Sequence, residues 1–426
     1  MDRREFFLNT AKASGVMLPW WGLLPITAHA QVASKILIYY HTDGGMVNDM
    51  FLDPSPDRRY NLYSQNGLAI PGSGNIRIAP AGQNAAFLTR FRDQMLVING
   101  INTETNSHED GQVASATGKL MMGYAPLSEL HAAKYAGGAP AGWLVRDGGT
   151  VSTGLYPATA VPDGAQLRAM VDPLAASGTT DYVKRTDFNK TVEARQARLE
   201  ALKANGIMLP KERLVTDEFL AAKEARVRLQ AVAANIPATF GNNPDIEVFM
   251  IAAQSGITAA GTLSSGGFDC HGSELDYEGN NGALTRMTNR LTFIWDEAAR
   301  RGIADRLYVV VAGEFSRTPL NGSNGHDHQN FGAGALVMLP PGSGLGNRVV
   351  GYSATMNLHQ SRTINPKTGA PDPNGIVLKP AHYHDALRDF LGVQPTNPAL
   401  GLGVPASEKI NLFSTTMSTG YPELTV

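Results

Sequence analysis

A run of six apolar residues, LYVVVA at Leu307–Ala312, constrains the fold more than any other stretch of the chain. It has three consecutive valines and no polar position, so a strand formed there has no face suited to water. Strands of this kind occur in parallel sheets that helices cover on both faces. The run therefore predicts an α/β protein with a mostly parallel central sheet.

Further apolar runs of strand length alternate with helical patterns. We predict strands at KILIYY, MLVING, IEVFMIAA and GALVML, that is Lys35–Tyr40, Met95–Gly100, Ile246–Ala253 and Gly334–Leu339. Before LYVVVA, apolar residues recur along one helical face, at Leu284, Met287, Leu291, Ile294 and Trp295. Strand–helix–strand alternation predicts a doubly wound sheet with helices on both faces.

Two segments rich in Ala, Arg, Glu and Leu, near 186–205 and 214–235, predict a long helical hairpin joined near Pro210. We expect it to be an insertion of about 186–236 in a single α/β domain that spans 31–426. Its charged faces are typical of solvated surface, and a coiled coil that binds a partner is the alternative.

The first thirty residues have the order of a targeting segment. Arg3 and Arg4 precede an apolar region at Val16–Ile26, and Ala28-His29-Ala30 follows as an A-x-A cleavage site. This predicts a twin-arginine signal peptide over 1–30, the twin-arginine translocation machinery as a partner, and a periplasmic or secreted protein. An N-terminal anchor and an amphipathic tail are the alternatives. The apolar region is too short to span a bilayer, so we expect no membrane span in the mature chain.

The charge of the chain argues against nucleic acid and anionic membranes as partners, and its cysteine content excludes an intrachain disulfide. With 36 Lys and Arg against 38 Asp and Glu, the formal charge of −2 gives no electrostatic reason to expect nucleic acid or an anionic membrane as a partner. Cys270 is the single cysteine, so no intrachain disulfide can form.

Histidines and acids collect where strands are predicted to end. Seven of the ten histidines lie in or beside Asp- and Gly-rich stretches, at His41, His108, His271, His326, His328, His382 and His384. Acidic residues accompany them at Asp43, Asp269, Asp327 and Asp385. Ligands of open parallel sheets bind outside the carboxyl ends of the strands. Mixed imidazole and carboxylate ligands suit zinc, manganese or iron, so the pattern predicts a site for one or two divalent metals. Turns and surface pairs are the alternative for each short motif.

Three more residues are candidates for roles beside such a site. Ser107 precedes a small-residue helical pattern, where a serine serves either as the N-cap or as a nucleophile toward an anionic ester. Arg317 either clamps an anion or forms a surface ion pair. Glu314 is a candidate acceptor that orients a ligand histidine. The chain has no P-loop, nucleophile elbow or dinucleotide fingerprint, whereas a Ser–His–Asp triad stays open.

Several motifs in this order resemble a known family: the twin-arginine leader, NSHEDGQ, GWLVRD, GGFDCHGSE and GEFSRTPLNGSNGHDH. The chain resembles the exported bacterial proteins of domain-of-unknown-function family 1501, which is placed in the alkaline phosphatase and sulfatase superfamily. The resemblance implies an alkaline phosphatase-like α/β fold with two divalent metals at the strand ends. It also implies hydrolysis of phosphate or sulfate esters through a Ser, Thr or Cys nucleophile.

The resemblance also implies roles for individual residues. Ser107 stands where the nucleophile stands, and Asp43, Asp327 and His328 resemble the ligands of the metal beside it. Asp269 and His271 would hold the other metal with His382 or His384, of which we predict His384. We therefore expect an exported metal-dependent hydrolase-like protein that acts on a small phosphate or sulfate ester. The alternatives are a non-catalytic binding or assembly protein with at most one structural metal, and a metal-free scaffold that works through the hairpin.

Overall fold

The computed structural model describes residues 33–137, 139, 141–146, 151–160, 167, 185–217, 219–220, 232, 236–237, 239–279, 282–355, 359–414, 416–417 and 420–421. The predicted signal peptide lies outside these ranges, and the single-domain organisation stays a prediction. Within the described ranges, no helix combines the length and the apolar character that crossing a membrane requires.

The secondary structure follows the predicted alternation of strands and helices. The strands are β1 (Ile36–Thr42), β2 (Gly72–Ser73), β3 (Ile76–Arg77), β4 (Met95–Ile101), β5 (Trp143–Val145), β6 (Ala158–Ala160), β7 (Ala260–Ser265), β8 (Leu307–Gly313), β9 (Ser316–Leu320), β10 (His326–Gln329), β11 (Ala333–Met338), β12 (Arg348–Val350), β13 (Ser353–Thr355), β14 (His359–Ser361), β15 (Thr363–Ile364) and β16 (Ile376–Val377). The α-helices are α1 (Leu62–Gln65), α2 (Asn84–Phe91), α3 (His108–Thr117), α4 (Leu127–Tyr135), α5 (Arg185–Ala204), α6 (Pro244–Gln254), α7 (Leu275–Glu278), α8 (Ala283–Arg300) and α9 (Pro380–Leu391). Short 3₁₀ turns lie at Asn48–Met50, Arg92–Gln94, Ala304–Arg306 and Pro398–Leu400.

An eight-stranded sheet with the order β12–β4–β11–β8–β1–β7–β5–β6 is the centre of the fold. β1 lies between β7 and β8 and is parallel to both. β11 alone runs antiparallel to its neighbours, β4 and β8. The sheet is therefore mixed and mostly parallel, which confirms the fold class predicted from the sequence.

Alternate residues of β1 lie in two separate apolar clusters. Ile36, Ile38 and Tyr40 pack with residues of α2, α6 and α8 on one face of the sheet. Leu37 and Tyr39 pack with residues of α4 and α9 on the other face. Helices therefore cover both faces, as LYVVVA predicts, and each fully buried branched side chain stabilises the fold by about 1.5–3 kcal/mol.

The strand predicted at Ile246–Ala253 is wrong, because this stretch lies within helix α6. Pro244 occupies the first turn of α6, and Asp245 and Glu247 add acidic residues at its N-terminus, which are helix-start signals. The helix is buried on nearly every side, so its sequence shows no polar face by which to distinguish it from a buried strand. The strand beside β1 is instead β7, AGTLSS, whose small and polar residues gave no strand signal.

The first arm of the predicted hairpin is confirmed as α5, and nearly all of its described side chains are at least partly exposed. Helical backbone resumes at Pro210 and continues through 210–217. Most of the predicted second arm, 221–231 and 233–235, lies outside the described residues.

β7 packs so closely on α6 that one strand position has no room for a side chain. A Cβ atom at Gly261 would lie 2.5 Å from the ring of Phe249, which is itself buried in the core. Gly261 therefore sets the distance between the strand and its covering helix.

We expect Gly261→Ala to lower the free energy of unfolding by about 1–3 kcal/mol, the usual effect of overpacking a dense core. Urea unfolding followed by circular dichroism measures it. Gly322→Ala is the matched control, because a Cβ there meets no atom within 4 Å. Equal stability of the two variants would contradict this account of the β7–α6 contact.

Candidate active site

Four chain segments converge at the carboxyl edge of the sheet. Asp43 follows β1, Glu314 follows β8, and Asp269 lies four residues beyond the end of β7. α3 begins at His108, seven residues after the end of β4. Because β1, β7 and β8 are mutually parallel, their carboxyl ends meet at one edge and bring these side chains together.

The first cluster, called group A, consists of His41, Asp43 and Glu314. His41 Nε2 lies 3.3 Å from Asp43 Oδ1 and 3.5 Å from Glu314 Oε1. Although it is buried and faces two carboxylates, this nitrogen makes no hydrogen bond. Two carboxylates and an imidazole nitrogen that makes no hydrogen bond form a donor set that fits a divalent cation.

The second cluster, called group B, consists of His108, Asp269 and His328. We count His271 as its fourth member, because its Nε2 lies 3.1 Å from that of His328. Asp269 Oδ1 lies 3.0 Å from His271 Nε2 and 3.3 Å from His328 Nε2, and these two nitrogens are 3.1 Å apart. His108 Nε2 faces the other carboxylate oxygen, Oδ2, at 3.8 Å. Three imidazoles that converge on one carboxylate form a nitrogen-rich donor set of the kind that holds zinc.

The far ring nitrogen of each group B histidine faces an oxygen atom. His108 Nδ1 contacts Glu314 Oε2, His271 Nδ1 lies 2.9 Å from Asp327 Oδ1, and His328 Nδ1 lies 2.9 Å from the carbonyl oxygen of Asn106. Metal-binding histidines usually donate their second ring N–H to a carboxylate or a carbonyl in this way, which fixes the tautomer. The donor sets of both groups therefore fit divalent cations.

Glu314 connects the two groups. Its carboxylate contacts His41 through Oε1 and His108 through Oε2, and it accepts a hydrogen bond of 2.9 Å from Gln112 Nε2. Burial would raise the pKa of Glu314, but its contacts with His41, His108 and Gln112 outweigh burial and lower the pKa to about 2. Gly111 lets α3 approach, since a Cβ there would lie 2.8 Å from Glu314. The sequence prediction that Glu314 orients a histidine agrees with this geometry.

Ser107 is the N-cap residue of α3 and lies between Asn106, which contacts His328, and His108 of group B. It is exposed, and its hydroxyl makes no capping hydrogen bond to the helix. The hydroxyl therefore does not cap the helix, which was one of the two uses predicted for this serine.

Arg317 is fully buried, although it was predicted to contact an anion or to form a surface ion pair. Its guanidinium donates to the carbonyl oxygens of Gly44, Gly45 and His326 and to Asp269. Arg317 therefore holds the turn after β1 and orients the group B carboxylate, and its contact with a substrate stays a prediction.

Two of the predicted ligands lie behind or apart from the two groups. Asp327 contacts the far nitrogen of His271, and this contact is the largest cause that lowers the pKa of Asp327. His384 is fully buried in α9, with Nε2 2.7 Å from the carbonyl oxygen of Ser115. The alternative ligand, His382, accepts from the Lys379 amide and contacts Glu408. The structure thus places Asp43 in group A, and Asp269, His271 and His328 in group B, while His384 lies elsewhere. The resemblance implied that His328 shares a metal with Asp43, whereas the structure places it beside Asp269.

The sequence analysis did not select His41 and His108 as ligands. Both were among the seven histidines at predicted strand ends, so the signal was present. His41 is two residues before Asp43 at the end of β1, and side chains two apart on a strand lie on the same face. His108 directly follows the serine predicted to begin a helix.

The position of His384 has a consequence for stability as a function of pH. Burial lowers the pKa of His384 from 6.5 to about 3, so the folded ring stays neutral where the unfolded ring becomes protonated. The unfolded state then binds more protons, and stability falls as the pH drops below about 6.5.

His384→Gln keeps an N–H donor but cannot titrate. We expect the stability advantage of the wild type over this variant, in metal-free protein, to fall by about 2 kcal/mol between pH 7 and pH 5. Urea titration at each pH measures it. An advantage that does not vary with pH, or a loss of bound metal in the variant, would contradict the placement of His384 in the core.

Comparison with solved structures finds distant similarities. The chain is similar to Ps i-CgsB in complex with k-i-k-neocarrahexaose, with 9% identity over 89% of this chain and 75% of that chain and a TM-score of 0.36. It is similar to BT4656 in complex with its substrate D-glucosamine-2-N,6-O-disulfate, with 9% identity, 91% and 81% coverage and a TM-score of 0.36. A protein in the alkaline phosphatase superfamily from Vibrio parahaemolyticus shares 12% identity over 94% of this chain and 78% of that chain, with a TM-score of 0.34.

No curated protein matches the chain. A family model described as "Protein of unknown function (DUF1501)" matches residues 35–345, which include β1, α3, β7 and the loop after β8. This match confirms the resemblance seen in the sequence motifs, and the chain belongs to the DUF1501 family.

Proposed function

We propose that this protein is a hydrolase of a phosphate or sulfate ester that depends on divalent cations held by groups A and B. The observation that carries the proposal is His41 Nε2, a buried nitrogen that faces two carboxylates without a hydrogen bond. A cation between these three side chains would satisfy all of them.

The two groups differ in their donor atoms. Group B offers three imidazole nitrogens and one carboxylate, which suits zinc or a similar transition metal. Group A offers two carboxylates and one imidazole, so manganese also suits it. Bound cations would lower the pKa of a coordinated oxygen nucleophile and neutralise charge on the transferring group.

Ser107 is the proposed nucleophile, since its exposed hydroxyl is free of the helix cap and adjoins His108. Its oxygen would lose the hydroxyl proton and bond to phosphorus or sulfur, while the bond to the leaving alcohol oxygen breaks and that oxygen takes a proton. Water would then cleave the seryl ester, release phosphate or sulfate and restore the hydroxyl. The N-terminus of α3 favours an anionic group at this position.

Ser107→Ala should lower turnover of 4-nitrophenyl phosphate or sulfate by about 10³-fold or more while the bound metal is unchanged. Absorbance assays and elemental analysis of the same preparations measure the two quantities. Ser323→Ala, in an exposed loop position, is the matched control.

Retained activity in Ser107→Ala would contradict its role as the nucleophile. Elemental analysis that finds no metal in protein isolated by its native route would contradict the whole proposal. One tightly held ion without turnover would instead support the binding or assembly protein.

We also propose that the chain is exported through the twin-arginine pathway, on the basis of Arg3, Arg4 and the A-x-A site at Ala28–Ala30. The double variant Arg3→Lys, Arg4→Lys should keep the precursor in the cytoplasm, whereas the wild type should appear outside it with Gln31 as its first residue. Fractionation and mass spectrometry of the N-terminus measure both. Lys12→Arg is the control outside the arginine pair, and export of the double variant would contradict the proposed route.

A further inference from the structure

Behind His41 lies a chain of buried hydroxyl groups that the proposed reaction does not use. Ser115, in α3, places its Oγ 3.3 Å from His41 Nδ1, the ring nitrogen that points away from group A. Tyr39, two residues earlier in β1, contacts both the Oγ and the carbonyl oxygen of Ser115. Both residues are buried, so no bulk water competes for these contacts.

Counting protons decides the direction of each hydrogen bond. The carbonyl oxygen of Ser115 can only accept, so the contact from Tyr39 uses the single proton of the Tyr39 hydroxyl. The separate contact of 2.9 Å between Tyr39 Oη and Ser115 Oγ must then use the proton of Ser115. Ser115 Oγ is left with only lone pairs to offer to His41.

The proton between Ser115 Oγ and His41 Nδ1 must therefore come from the imidazole. We propose that Tyr39 and Ser115 act as positioning residues that hold His41 in the Nδ1–H tautomer, so that the lone pair of Nε2 faces Asp43 and Glu314. In a neutral ring this places three acceptors together without a proton, which agrees with the absence of any hydrogen bond at Nε2. Only the role of this lone pair as a cation ligand rests on the proposed function.

α9 supports the same arrangement through His384, whose ring stacks on that of Tyr39. His384 Nε2 lies 2.7 Å from the carbonyl oxygen of Ser115, so this oxygen is shared by His384 and Tyr39. Gly118 allows the close approach, since a Cβ there would lie 2.8 Å from Cβ of His384. His384 of α9, which was predicted to be a metal ligand, thus contacts Ser115 behind His41 instead.

The tautomer can be read directly from ¹⁵N NMR of histidine-labelled, metal-free protein at a pH at which His41 is neutral. In the wild type we expect the proton on Nδ1. In Tyr39→Phe the proton of Ser115 is released to donate to His41, so the signal should move toward the Nε2–H tautomer. Tyr135→Phe is the matched control, because its hydroxyl donates to the carbonyl oxygen of Leu391 and does not contact His41. An Nε2–H tautomer in the wild type, or no change in Tyr39→Phe, would overturn the inference.

A second measurement separates this inference from the proposed function. Ser115→Ala should weaken binding of one zinc ion about 10–100-fold in a chelator competition and leave the other ion in place, and Ser115→Thr should restore it. If the protein binds no zinc, the proposed function fails while the NMR result still decides the tautomer. If Ser115→Ala binds both ions as tightly as the wild type, the positioning role is wrong even though the metal site stands.

Discussion

The rest of the site depends on the contacts that the Glu314 carboxylate makes. It directly follows β8 and contacts His41 of β1 and His108 of α3 through its two oxygens. A buried carboxylate without such partners would lose its charge or destabilise the fold. Its partners instead lower its pKa to about 2, so it stays ionised. This one charge fixes α3 against the sheet edge and thereby places Ser107 beside group B.

The histidine rings of the two groups are arranged alike. One ring nitrogen, called the occupied side, contacts a neighbouring oxygen atom, and the other nitrogen is directed at the site. In group B the occupied sides face Glu314, Asp327 and the carbonyl oxygen of Asn106. In group A the occupied side of His41 faces Ser115. Arg317 orients Asp269 and also donates to the carbonyl oxygens of the turn after β1. Such fixed ligand orientation is what a cation site needs, because the rings then lose little freedom when the ion binds.

Much of the fold could be predicted because it depends on local patterns. LYVVVA and KILIYY gave β8 and β1 since a doubly buried strand is apolar throughout. The stripe from Leu284 to Trp295 gave α8, whose other face remains polar. IEVFMIAA failed for the opposite reason, because a helix buried on all sides has no periodic polar face. The strand AGTLSS was not predicted, because its small residues carry no strand signal. They are needed there for close packing, since they leave room for Phe249.

The sequence by itself determined the α/β class, the family and the edge of the sheet at which the histidines and acids collect. It also predicted Asp43, Asp269, His271 and His328 at this edge, since each follows a strand or lies in a loop that such a strand delivers. The family resemblance implied that His328 shares a metal with Asp43, whereas the structure places it beside Asp269. Only the tertiary structure decided which of the remaining histidines join them. His41 and His108 face carboxylates, whereas His384 is turned into the core toward Ser115. The reason is that spacing along the chain fixes the face of a strand or helix, while the direction in which a ring nitrogen points depends on partners that are distant in sequence.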